Sequence, residues 1–131
     1  SNSFCTLLEV FPRHTMRAVI AVIALLVACA LANPSGNYCG AVPEYGITTK
    51  MSFTEATFNL EIDGNGSKTT CDNEAYNMDG SKVNMPNVNN ADDCVGNLQR
   101  DGGVTLSITY DASANSIALD AGIGVMQLSS C

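Results

Sequence analysis

Cys39, Cys71, Cys94 and Cys131 are the residues of this chain best placed for covalent chemistry. An even number of cysteines without a CxxC spacing, in a short segment, points to two disulfides. Zinc would also claim thiolates, but it needs close sulfur or imidazole ligands, and the one histidine, His14, stands far upstream. Four cysteines allow three pairings. Cys131 is the last residue and Cys39 lies early in the domain, so the expected arrangement is Cys39 with Cys131 and Cys71 with Cys94. Each bridge contributes about 2–4 kcal/mol, a large share of the stability of a small domain.

Other chemistry is poorly supplied. Without a histidine after residue 32 there is no Ser-His-Asp, Cys-His or HExxH arrangement, and paired cysteines leave no thiolate nucleophile. The acids leave room for a carboxylate pair of the kind used on glycosides, Asp92 and Asp93 for example. Adjacent acids at a helix start more often serve as cap and dipole partners. Gly122-Ile123-Gly124 lacks the third glycine and the following helix of a nucleotide loop. The expectation is a non-enzymatic chain that carries no cofactor.

Oxygen ligands make the most tempting cluster. Glu61, Asp63, Asn65, Ser67 and Asp72 occupy positions 1, 3, 5, 7 and 12 of a twelve-residue stretch with Gly66 at position 6. That spacing resembles an EF-hand calcium loop, and Ser52-Phe53-Thr54-Glu55 upstream fits a helix capping box. Three departures weaken it: Glu61 replaces the first aspartate, Lys68 replaces the apolar eighth residue, and Asp72 is too short for the bidentate glutamate. The flanking residues also alternate like a strand, so a hairpin turn is the stronger reading. Asn65-Gly66-Ser67 is in addition a candidate N-glycosylation acceptor in an exported chain.

The elements that must position these residues follow a period of two. Phe58, Leu60 and Ile62 alternate with Thr57, Asn59 and Glu61; Val104, Leu106, Ile108 and Tyr110 alternate with Thr105, Ser107 and Thr109. Ile117 with Leu119, Ile47 with Met51 and Phe53, Tyr76 with Met78, and Val83 with Met85 suggest further strands. Asp63-Gly64-Asn65-Gly66 and Asp79-Gly80 read as hairpin turns, and residues 111–115 as a small polar connection. Ile123 and Val125 share one parity while Met126 and Leu128 share the other, which predicts a bulge near Gly124.

Residues 90–100 break the pattern and predict one short helix. Asn90 stands as N-cap, Asp92 and Asp93 in the first turn, Arg100 in the last and Gly102 beyond it; Ala91, Val95 and Leu98 share a face. Gly96 weakens that helix. The 26 large apolar residues after residue 32 suffice for one small core. Six to eight short strands with hairpin turns predict an all-β, disulfide-stapled antiparallel meander, a barrel or a sandwich.

Residues 16–32 carry an address. Met16 and Arg17 lead into a 15-residue apolar run that closes on Ala30-Leu31-Ala32, the pattern of a secretory signal peptide cleaved before Asn33. A membrane span needs about 20 residues. Leu26-Val27-Ala28-Cys29 loosely fits a lipoprotein signal, and only a lipidated Cys29 would tie the domain to a membrane. Residues 1–15 read as a translated leader or cloning remnant, leaving 33–131 as the secreted domain.

Four basic residues face twelve acids after residue 32, a balance of −8 that argues against nucleic acid and anionic membranes as partners. Taken together, these readings predict a secreted interaction module whose partner is a protein or a glycan, an inhibitor or an environment-facing effector being special cases. Its contacts fall on the loop Met85-Pro86-Asn87-Val88-Asn89-Asn90, because stapled sheets present function on loops. The alternatives are a small β-barrel carrier of an apolar ligand and a calcium-dependent adhesion module.

Overall fold

A computed structural model describes residues 33–131. The leader, the signal peptide and Cys29 lie outside the described residues, and so does His14.

Nine antiparallel strands form one sheet: β1 (Gly36–Val42), β2 (Ile47–Phe53), β3 (Thr57–Gly64), β4 (Ser67–Ala75), β5 (Asn77–Asp79), β6 (Lys82–Asn84), β7 (Ser107–Asp111), β8 (Ser116–Asp120) and β9 (Val125–Ser130). A single α-helix among the described residues, α1 (Cys94–Gly102), interrupts the series between β6 and β7. The order across the sheet is β4-β3-β2-β1-β9-β8-β7-β6-β5, so β1 and β9, at the two ends of the domain, lie side by side in its middle. The result is the expected all-β, disulfide-stapled meander with one helix, curled into a half-barrel.

The curl follows from the pairing. Eight antiparallel steps separate β4 from β5 across the sheet, so the two run in the same direction, yet only Tyr76 separates them in the chain. The two margins of the sheet are therefore consecutive lengths of one backbone and meet at Tyr76. That residue is anchored there: its N–H donates to Ala56 O at 3.1 Å and its hydroxyl to Thr54 O at 2.6 Å. Past this point β6 ends at Asn84, and α1 packs on β4.

Side chains of the concave face fill the interior. Tyr38, Met51, Phe58, Leu60, Ile108, Ile117 and Leu128 are fully buried, and Val95 of α1 joins them. Phe53 and Tyr76 meet edge to face at 5.3 Å between centroids, as do Tyr38 and Phe53 at 5.8 Å. One polar group holds the aromatic end of this core: Asn115 Oδ1 accepts from the hydroxyls of Tyr38 at 2.8 Å and Tyr110 at 3.2 Å.

Several local expectations need correction. Strands β1 and β4 were not legible in the apolar pattern, and the count is nine, above the expected range. The run from Val104 enters the sheet only at Ser107; Val104 N–H is held by Gln99 O and Leu106 N–H by the Gln99 side chain. Gly124 is not a bulge within a strand. Residues 121–124 form the β8–β9 connection, with Gly122 and Gly124 at φ of 86° and 151° and Ile123 exposed in it. The helix begins later than expected: Asp93, not Asn90, is its N-cap, so Ala91 and Asp92 precede it, and Gly103 rather than Gly102 takes the left-handed C-terminal position.

Candidate functional site

Both disulfides form as expected. Cys39 and Cys131 tie β1 to the residue that follows β9, and Cys71 and Cys94 tie β4 to the first residue of α1. The second bridge therefore fixes the start of α1 to β4.

The calcium-like stretch is a hairpin. Gly64 pairs with Ser67 across a two-residue turn, Asn65-Gly66, whose φ values of 56° and 76° suit Asn and Gly in a type I′ turn. Glu61 and Asp63 lie on β3 and Ser67 and Asp72 on β4, so their oxygens are spread along two strands instead of converging. The cation beside Glu61 is the chain's own, Lys68 Nζ at 3.1 Å from Oε1. No cluster of three metal-ligating side chains occurs among the described residues. Ser52 of the supposed capping box lies within β2. Asn65 stands exposed at the hairpin tip.

The loop of residues 85–90 is the more organised feature. Val88 N–H donates to Met85 O and Asn90 N–H to Asn87 O, which makes two successive turns. Met85 and Val88 pack against the core, while Pro86, Asn87, Asn89 and Asn90 are exposed. The guanidinium of Arg100, on the last turn of α1, donates to Val88 O at 3.2 Å and to Asn90 O at 2.8 Å, and also to Asn97 Oδ1 at 2.8 Å. Gly96 completes the clamp. Val88 O lies so close to it that a Cβ would collide with the carbonyl, so only glycine lets the loop rest on the helix. What reads in the sequence as a defect in a helix is the point of contact.

Beneath α1 lies a feature that sequence reasoning missed. Glu74, on β4, is only 4% exposed, and its Oε1 has no hydrogen-bond partner. The Cys71–Cys94 bridge brings the start of α1, with Asp93, to this part of β4. Burial, and then the hydrogen bond and charge of Asp93, push Glu74 up to about 7 from an ordinary 4.5. Asp93 itself caps the helix, its Oδ2 accepting from Gly96 N–H at 2.8 Å. The carboxyl pair of this molecule is thus Glu74 with Asp93, not Asp92 with Asp93; Asp92 is exposed. Asn73 explains why Glu74 was hidden: its left-handed backbone, φ 56°, resets the alternation of β4, so Cys71 and Glu74 both turn inward.

The fold and site define a class no narrower than a disulfide-stapled half-barrel with a helix-clamped loop. No family model, curated protein or solved structure matches the chain.

Proposed function

We propose that this chain is an exported interaction module that presents residues 85–90 to a protein or glycan partner. The clamp carries this reading: Arg100 and Gly96 hold the loop backbone against α1, and Cys71–Cys94 holds α1 against β4. A loop ordered before binding avoids the entropic cost of ordering on contact, which is how rigid scaffolds gain affinity. Asn87, Asn89 and Asn90 each offer an amide donor and acceptor, the chemistry that suits backbone amides or sugar hydroxyls. Export is supported by the pattern of residues 16–32 and by the two disulfides, which persist in oxidising compartments.

Two observations weigh against the alternatives. A carrier needs room, and the concave face is occupied by Tyr38, Met51, Phe58, Ile108 and Leu128. A calcium-dependent adhesion module needs converging oxygens, and the hairpin disperses them. A photo-crosslinking residue at Asn89, compared with one at Ser113 in the β7–β8 connection, tests the proposal in the protein's own secretion milieu. The expected result is an adduct from position 89 alone that excess unlabelled protein competes away. Equal labelling from both positions would overturn it. So would an apolar molecule released on denaturation in native mass spectrometry, which would establish the carrier.

A further inference from the structure

The large apolar side chains that stand exposed among the described residues, Tyr45, Ile123 and Val125, lie at one end of the half-barrel. The strand pairing puts them there. Ser107, Asp120 and Val125 form one row across β7, β8 and β9. β1 runs antiparallel to β9, with Tyr38 opposite Ser130 and Cys39 opposite Ser129, and Gly40 packs too closely on Leu128 and Gln127 to leave room for a Cβ. That line carries β1 on towards the level of Val125, so the β1–β2 turn with Tyr45 comes to the same end as the β8–β9 connection with Ile123. β6 runs that way too, since Lys82 pairs antiparallel with Thr109, and it leaves the sheet there into residues 85–90. The β2–β3 and β7–β8 connections, at the opposite end, expose no large apolar side chain.

Single exposed apolar residues are ordinary, but a group gathered at one end of a domain marks a contact surface. Ile123 is 92% exposed between two glycines of positive φ, Gly122 and Gly124, so it contributes nothing to the core. The charges around the group are of one sign. Glu44 adjoins Tyr45, Asp63 lies opposite Thr48 just past the same turn, and Asp120 is paired with Val125. The cations of this end are engaged, Lys68 with Glu61 and Arg100 with the carbonyls of Val88 and Asn90. We propose that this end is a docking surface for a protein whose apolar patch is ringed by lysine and arginine, with Tyr45, Ile123 and Val125 as the anchor and Glu44, Asp63 and Asp120 as the rim. The sign of the rim selects that occupant. Two copies meeting end to end would set acid against acid, and an anionic membrane would be repelled. A sugar would bring polar hydroxyls to isoleucine and valine, which cannot satisfy them. Apolar anchors inside a charged rim give a protein interface its affinity and its on-rate respectively. The proposal rests on the interaction reading and chooses between its two partners, a protein and not a glycan, with residues 85–90 at one margin of the face.

A phage-displayed random peptide library, selected on the secreted, oxidised protein, supplies the probes for its test. Enriched sequences are expected to combine aromatic or aliphatic residues with lysine and arginine. Synthetic versions are expected to bind Ile123→Asp and Tyr45→Asp roughly tenfold more weakly than the parent, and to associate more slowly as salt is raised. Both positions are exposed, so thermal melts of the variants are expected to match the parent. Selection that enriches no basic, apolar sequences overturns the proposal, and so do peptides that bind both variants as well as the parent. If Asn89→Ala weakens those same peptides, the interaction reading survives while the apolar face fails. Binding to phosphatidylcholine vesicles that Ile123→Asp abolishes would overturn it in favour of a lipid surface. A dimer in sedimentation that the same variant dissolves would overturn it in favour of a second copy.

Discussion

The carbonyl oxygen of Val88 sits against the α-carbon of Gly96, at a place where any side chain would collide with it. Alanine is the better helix former by about 1 kcal/mol, so propensity alone favours Gly96→Ala. Packing reverses the sign: the loop must lift from the helix, and overpacking of this kind costs about 1–3 kcal/mol. Urea unfolding of the variant is expected to show a lower midpoint, with loop amides less protected than the sheet. A variant as stable as the parent would mean that the loop does not rest on the helix.

Glu74 sets a pH dependence of known sign. Its carboxyl lies at about 7 in the folded chain against an ordinary 4.5, so the folded state holds a proton that the unfolded state has released in that window. The stabilisation is complete below about pH 4.5, drains as the pH rises to about 7 and is level above it. Urea midpoints at pH 5 and pH 8 measure it, and the fall in Glu74→Gln is expected to be much smaller. An equal fall in both proteins would assign it to other groups.

The two disulfides close loops of different length, with sequence separations of 92 and 23. In the chain-entropy account, the Cys39–Cys131 bridge contributes about 4.5 kcal/mol and Cys71–Cys94 about 3.5. Thermal melts of the paired serine variants are expected to rank in that order. Only loss of Cys71–Cys94 should also release α1 and the loop, which loop-selective proteolysis would reveal. The opposite pattern would place the loop's support elsewhere.

Asn115 does two jobs at once. It adopts a left-handed backbone, φ 48°, and its Oδ1 serves the hydroxyls of both Tyr38 and Tyr110. Asn115→Ala loses both and is expected to cost about 2–4 kcal/mol, while Asn115→Gly recovers the backbone and costs about 1 kcal/mol less. Chemical denaturation of the pair separates the contributions; identical small losses would show that the tyrosines find other acceptors. Burial and then Tyr38 push the Tyr110 hydroxyl up to about 12, so its contribution is intact below pH 10 and fades as the pH rises toward that value.

Legibility in the sequence tracked physical regularity. Phe58, Leu60 and Ile62, and Ile108 with Tyr110, alternate cleanly because each strand is wet on one face, and Asn65-Gly66 announces its turn because both residues accept positive φ. The disulfide pairing was not fixed by spacing, since four cysteines allow three arrangements; the fold selects Cys39–Cys131 and Cys71–Cys94. Strand β4 was obscure because Asn73 shifts its phase, and β1 because Cys39 and Gly40 carry no apolar signal. The helix start was misplaced because Asn90 and Asp93 are both good caps, and only tertiary contact chooses between them. Glu74 could not be found by any local rule. Its meaning comes from Asp93, nineteen residues on, brought to it by the bridge between their neighbours Cys71 and Cys94.

That residues 85–90 form a rigid, ready-made surface is the claim on which the rest depends. Backbone ¹⁵N relaxation of the oxidised domain at pH 5 tests it most directly. Order parameters of Asn87, Val88 and Asn89 are expected to match those of the sheet, about 0.85. Values below about 0.6, with the sheet rigid, would contradict the clamp and the function built on it.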